Sequence, residues 1–227
     1  MRISTLILAF AFTAGLYAQM PARLASITAV GDASVSVVPD MARVDVGVAT
    51  QAATAQDATQ QNGTQAGAMI SALQGLLGAN ASIKTISYSV SPVYNNPPPG
   101  QSATIIAYLV TNIVEVTLTD LTQVGKVIDT AIQNGANRVQ GVSFGLQDRT
   151  ASVSQALKTA ASLARAQADA IASGLNVHTG AVIHASEGVN LSNPTVAVPL
   201  AGGASTPIET GTVVVQASVT IEVAITP

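Results

Sequence analysis

The sequence predicts an α+β fold: antiparallel sheets with about three helices packed on one face, in the order ββ-α-ββ-α-β-α-ββ. Three observations carry this. Strand-like segments arrive in adjacent runs rather than singly between helices, which favours antiparallel pairing. Three segments change from a period of two to a spacing of three and four, the mark of an amphipathic helix. Near the carboxyl end, Val213, Val215, Ala217, Val219, Ile221, Val223 and Ile225 alternate with more polar neighbours without interruption.

Taken in order, residues 27–38 alternate and meet a turn at Pro39-Asp40, after which Ala42, Val44, Val46 and Val48 share one face and Arg43 and Asp45 the other. The two segments read as a pair of antiparallel strands. Over residues 52–77, Ala55, Ala58, Asn62, Ala66, Met69, Leu73 and Leu76 recur at helical spacing, with Gly78 as the stop. Gly63 and Gly67 each weaken that helix by about 1 kcal/mol relative to Ala. Its outer face is Gln and Thr rather than Lys and Glu, a face suited to packing against something. Residues 83–94 and 104–118 form a hairpin across Pro97-Pro98-Pro99, because three consecutive prolines cannot sit in a paired strand.

Asp120 with Gln123 three residues on is an N-cap with a capping-box partner. Leu121, Val124, Val127, Ile128, Ala131 and Ile132 make the apolar stripe of that helix, and Gly135 ends it. Residues 139–146 read as a strand with Val142 and Phe144 on the apolar face and Ser143 on the polar one. A third helix starts at Asp148 or Thr150, its face held by Val153, Leu157, Ala160, Ala164, Ala168, Ile171 and Leu175. Residues 182–189 offer one more strand, and residues 190–210 a long apolar loop with Pro194, Pro199 and Pro207. The C-terminal strand spans roughly 45 Å at about 3.4 Å per residue. So long a strand is expected to bridge two parts of one sheet or to pair across a subunit boundary.

Composition narrows function. Among 227 residues, nine Lys and Arg against twelve Asp and Glu leave a net charge of -3, and only 9% of residues are charged. Nine scattered cations cannot build the dense basic face that nucleic-acid binding needs. Hydrophobic residues at 48% exclude a disordered chain. The absence of Cys removes disulfides, thiol nucleophiles and thiolate metal sites. Aromatic residues at 3% leave few platforms for stacking bases or sugars.

Residues 1–18 open with Met1-Arg2 and an apolar run, the pattern of a secretory signal peptide cleaved after Ala18. The run is shorter than the roughly twenty residues of a spanning helix. Residues 19–26 are then a mature N-terminal tail and 27–227 one α+β domain. Without Arg2, 8 basic residues stand against 12 acidic ones, a net charge of -4. The mature chain is expected to be exported, to the periplasm or an outer-membrane association, with no transmembrane span. Peripheral membrane association stays open.

Several signatures fall in a specific order: Gly31, Pro39-Asp40-x-Ala42, Tyr94 before the proline loop, and Tyr108 with Asn112. They continue through Asp120-Leu121-x-x-Val124-Gly125-x-x-Ile128-Asp129-x-Ala131 to Gly135-Ala136-Asn137, then Val139-x-Gly141-Val142-x-Phe144. An Ala-rich helix and the long C-terminal strand complete them. Over residues 27–225 this resembles the SIMPL-domain family, also called domain-of-unknown-function group 541. The resemblance implies an exported bacterial envelope protein, linked to stress tolerance and to higher-order oligomers. It carries no established catalytic residue. Before the last strand the family often has a Pro-Gly pair, whereas this chain reads Thr206-Pro207-Ile208-Glu209-Thr210-Gly211.

Four constellations invite chemistry. Gly141-Val142-Ser143-Phe144-Gly145 matches G-x-S-x-G, with His178 and His184 later in the chain, in the order of α/β-hydrolases. The motif works only on a sharp strand-to-helix turn, and here it falls within an alternating strand. His178, His184 and Glu187 suggest metal ligands, but on a regular strand the two histidines stand about 20 Å apart, too far to share an ion. Asp32, Asp40, Asp45 and Arg43 cluster around the first turn, where a buried carboxylate pair could do acid–base work; the plainer reading is solvated turn residues with a surface ion pair, and Asp129 reads the same way. Gly31 has no helix after it to cradle phosphate and reads as a strand bulge or a point of close approach.

The expectation is a non-enzymatic protein acting through self-assembly into a homo-oligomer or through an envelope partner, with no catalytic, cofactor-binding or metal-ligating residue and no cofactor. The alternatives are a periplasmic serine hydrolase built on Ser143 and a carrier of a small apolar ligand beneath residues 190–210.

Overall fold

The computed structural model describes residues 25–78, 82–193, 195–196 and 210–227. The signal peptide expected over residues 1–18 and most of the tail at 19–26 lie outside the described residues, as does the larger part of the expected loop at 190–210. The α+β architecture and element order are as predicted, arranged as two antiparallel sheets, each with its own hydrophobic core.

The first strands, β1 (Ser26–Val37) and β2 (Met41–Ala52), do not pair with each other. Each has a better partner elsewhere, and Pro39-Asp40 is the crossing from one sheet to the other rather than a hairpin turn. β2 lies inside a five-stranded sheet between β4 (Ile105–Leu118) and β5 (Arg138–Gly145), with β3 (Ser82–Tyr94) at one edge. The other edge carries the two-residue β7 (Thr195–Val196). Helices α1 (Ala55–Leu77) and α2 (Val124–Gln133) cover one face, burying Val44, Val46 and Val48 against Met69, Leu73, Val127 and Ile128.

The start of α1 is fixed by Thr54, whose Oγ1 accepts from the Asp57 N–H, three residues later than the periodicity placed it. Asp120 caps a short 3-10 turn that leads into α2. Its capping-box partner Gln123 donates through Nε2 to the Asp120 carboxylate at 2.9 Å instead of accepting from the Asp120 N–H. In β5 the alternation slips. Asp45 pairs with Gly141 but Val46 with Val139, so Gln140 bulges out and Val139 joins Val142 and Phe144 on the core side. A bulge inserts one residue and reverses the phase on one flank, which strict alternation cannot anticipate.

The second sheet has the order β1-β8-β6, where β6 is His178–Ser192 and β8 is Val213–Thr226. The C-terminal strand β8 is its middle strand, paired on both sides over nearly its full length. It therefore bridges no two parts of a sheet and offers no edge. β1, from the other end of the chain, and β6 flank it, and pairing with both occupies the two hydrogen-bonding sides of β8. β6 is longer than expected: it begins at His178 and takes in residues 190–192, which the sequence assigned to the loop.

Helix α3 (Thr150–Gly174) covers this sheet with a seam of Ala156, Ala160, Ala164, Ala168 and Ala172, every fourth residue. Val153 and Leu157 pack at its margin, while Ile171 and Leu175 are exposed, contrary to the sequence reading. The reason is Gly31, which lacks the side chain that would hold α3 away. A Cβ there would lie 2.1 Å from the Ala160 carbonyl oxygen and 2.3 Å from the Ala164 nitrogen. At that separation only alanines fit the interface. Gly31 is the close-approach point of the two alternatives; β1 keeps regular register through it.

Candidate functional site

Ser143 lies in mid-strand, opposite Arg43 on β2 and Thr195 on β7. It is half-buried and forms no side-chain hydrogen bond among the described residues. A nucleophile elbow needs the serine at the apex of a strand-to-helix turn; a residue laddered on both sides is not free to make one. His178 and His184 stand exposed on β6, in the other sheet. The structure does not bring the three together.

Nor do the histidines converge on each other. His178 pairs with Thr226 and His184 with Glu222, four β8 positions apart, or about 13 Å. Two register shifts in β6 shorten the distance read from the sequence without closing it. Glu187 lies on the opposite face, paired with Val219. Among the described residues no three His, Asp or Glu side chains are grouped closely enough to hold an ion.

The acidic residues of the first turn separate in the structure. Asp40 is exposed and holds a corner: its Oδ1 accepts from the Gln147 N–H at 2.7 Å, locking the start of β2 to the end of β5. Asp32 stands on β1 in the other sheet. Asp45 is opposite Glu115 on β4, with Arg43 Nε 3.8 Å from Glu115 and Lys84 of β3 opposite Glu115 on its far side. Burial and then the Glu115 charge push the Asp45 carboxyl above its usual range, against the opposing pull of Arg43. Its Oδ1 is buried without a hydrogen-bond partner among the described residues. This charged row was invisible in sequence because Glu115 and Lys84 reach Asp45 only through strand pairing.

The outward face of the three-stranded sheet is polar. Cross-strand rows Asp32–Ser218–Gly188 and Ser34–Gln216–Asn190 line a concavity of about 580 Å³. Its lining mixes the polar groups of Asp32, Ser34, Asn190, Gln216 and Ser218 with Ala33, Val189 and Ala217; most of residues 190–210, beneath which an apolar recess was expected, lie outside the described residues.

What dominates the surface is open sheet edge. Among the described residues, β1 and β6 border one sheet and β3 borders the other, each of twelve residues or more and each with an unpaired side. Large apolar side chains stand exposed on them, among them Ile86, Tyr88 and Val90 on β3 and Val182, Ile183 and Val189 on β6. The sequence signal for edge status was weak, since alternation looks alike in central and edge strands. No helix of the described residues is long and apolar enough to cross a membrane.

Two helix-covered antiparallel sheets with open edges define the class, and comparison with known proteins places it. Residues 27–223 match SIMPL, described as a protein of unknown function (DUF541), and the chain belongs to this family. It is 28% identical over 206 residues to the 26 kDa periplasmic immunogenic protein of Brucella melitensis biotype 1, covering 88% of this chain and 81% of that one. It is 31% identical over 152 residues to the uncharacterized protein YggE of Escherichia coli strain K12, covering 67% of this chain and 61% of YggE.

Proposed function

We propose that this protein is exported to the periplasm and works there by self-association through its sheet edges, without catalysis. The carrying observation is the pair of long edges, β1 and β6, left unpaired among the described residues of a single three-stranded sheet. Unpaired N–H and C=O groups in a row are a template for another strand, and proteins that do not use such edges blunt them. Low surface charge supports the reading, since only 9% of residues are charged and few like charges oppose contact between copies. Similarity to a relative named as periplasmic over 88% of the chain supports the location. A part in envelope or oxidative stress tolerance follows from the family resemblance and belongs to the same proposal.

The test is the mass of the mature chain by size-exclusion chromatography with light scattering across micromolar concentrations. An assembly of several copies is expected; a strict monomer throughout overturns the reading. Esterase assays of the parent and Ser143→Ala are expected to give the same background rate. A serine-dependent activity would overturn the non-catalytic part.

A further inference from the structure

Helix α3 sits off-centre on its sheet. It packs mainly on β1 and β8 and touches β6 least. At Gly31 its backbone rests directly on β1. Arg165 marks the flank turned toward β6, its guanidinium donating to the Gly180 carbonyl at 3.0 Å and to Thr179 Oγ1 at 2.9 Å. Leu163, two residues earlier, is about 200° round the helix and so on the opposite flank, beyond β1. With Gln167 and Ile171 it forms an uncharged row along that flank, Leu163 being 47% and Ile171 38% exposed.

A helix with side chains has a radius of about 5–6 Å, and strands in a sheet lie about 4.8 Å apart. A helix seated over β1 therefore overhangs the position that one further strand would occupy at the β1 edge. That vacant position is roofed by Leu163 and Ile171.

At the far edge the situation is reversed. Val182, Ala185, Glu187, Val189 and Leu191 of β6 share the helix side of the sheet with Val223, Ile221, Val219, Ala217 and Val215 of β8. Yet α3 covers this strand least: Leu191 packs at the margin of the core, but Val182 is 47% and Val189 40% exposed. Among the described residues, one edge has a roof and no strand beneath it; the other has a strand that the helix covers least.

We infer that β6 of a second copy adds to the β1 edge, beneath the Leu163–Gln167–Ile171 flank of α3. This rests on the self-association reading and names its interface. The strands suit the contact. β1 keeps unbroken register over twelve residues, and β6 keeps it from His184 to Ser192. The third long edge, β3, is blunted by Lys84, Pro92 and two register shifts. Pairing β1 with a second β1, or β6 with a second β6, leaves one of the two bare surfaces uncovered in both copies; only β1 with β6 covers both. Since β1 and β6 each run antiparallel to β8, copies that keep their helices on one side pair these strands in parallel. The contact is head-to-tail, so it generates a ring or a filament rather than a two-fold dimer.

The test uses two kinds of variant on the mature chain, with circular dichroism melts confirming the fold. A flank variant, Leu163→Asp with Ile171→Asp, and an edge variant, Val189→Lys, should each fall from the assembly mass to that of one chain. Gln167→Arg, at an exposed position, is a second flank variant should the first not fold. Mixed in equal amounts, a flank variant and the edge variant should form a 1:1 dimer and nothing larger, because each retains one intact half of the contact. If the parent assembles but the variants do so equally well, this interface is wrong while self-association stands. Monomeric variants that fail to pair on mixing also overturn it. A parent chain that is itself monomeric removes both proposals.

Discussion

The Asn137 carboxamide pairs with both backbone groups of Ala49: its Oδ1 accepts from the Ala49 N–H at 2.7 Å and its Nδ2 donates to the Ala49 carbonyl at 2.8 Å. The backbone ladder between β2 and β5 ends with Gly47 opposite Arg138. Asn137 thus continues the ladder with a side chain, just after Gly135 at φ 106° has turned the chain out of α2. Asn137→Ala removes both bonds and is expected to cost about 1–2 kcal/mol, lowering the melting temperature by roughly 2–8 °C. Asn137→Asp should cost more at neutral pH, since a carboxylate cannot donate to the Ala49 carbonyl. Unchanged melting of both variants would refute this role.

Glycines with opposite surroundings should respond oppositely. Gly31→Ala drives a methyl group into the Ala160 and Ala164 backbone, which cannot move aside as a side chain can. A loss of about 1–3 kcal/mol or more is expected in urea unfolding. Gly63 on α1 has nothing within 4 Å of an added Cβ. Gly63→Ala should stabilise by about 0.5–1 kcal/mol through helix propensity. Equal responses would mean that α3 does not rest on β1 as described.

Asn62 is a fully buried polar residue of α1, and its Nδ2 donates to the Val48 carbonyl at 2.9 Å and the Val110 carbonyl at 3.3 Å. Asn62→Leu leaves the helix-to-sheet junction without these donors and should destabilise by about 1–3 kcal/mol. A stability equal to the parent's would show that the amide contributes no net energy.

Asp45 sets one pH dependence. Its folded-state carboxyl is raised above 3.8, first by burial and then by Glu115. The folded protein therefore holds this proton more tightly than the unfolded chain, and the contribution to stability falls as pH rises from the ordinary aspartate range through the raised value. Asp45→Asn should melt about 2 °C higher than the parent at pH 7, with the difference shrinking toward acid. A lower melting point at pH 7 would contradict the assignment.

Asp120 and Asp148 act in the opposite sense. Hydrogen bonds from the Thr122 hydroxyl, the Gln123 amide and the Thr122 N–H hold Asp120 below 3.8; the Thr150 hydroxyl and N–H do the same for Asp148. Their stabilisation is present above the ordinary aspartate pKa and is lost as pH falls through the lowered values. Asp120→Asn should destabilise at pH 7 and leave stability at pH 2 unchanged in melts at both conditions. A loss of the same size at both would assign the effect to shape rather than charge.

The sequence by itself determined the elements. The Ala58–Asn62–Ala66–Met69–Leu73 stripe, the Val124–Val127–Ile128–Ala131 stripe of α2 and the seven-residue apolar face of the last strand are buried or partly buried as their spacing required, while Leu76 and Ile132, at the ends of their stripes, are exposed. Periodicity is readable because it follows from the local geometry of helix and strand, which each residue carries with it. Tertiary structure alone decided the partition of β1 and β2 into different sheets, the Gln140 bulge and the Asp45–Glu115–Lys84 row. It also decided which strands became edges and how far α3 overhangs β1. These depend on pairing between residues far apart in the chain, where backbone hydrogen bonds are nearly indifferent to side-chain identity and small differences in packing select the partner. Gly31 shows the limit most clearly. Its missing side chain is plain in the sequence, but only the helix lying across it reveals what that absence admits.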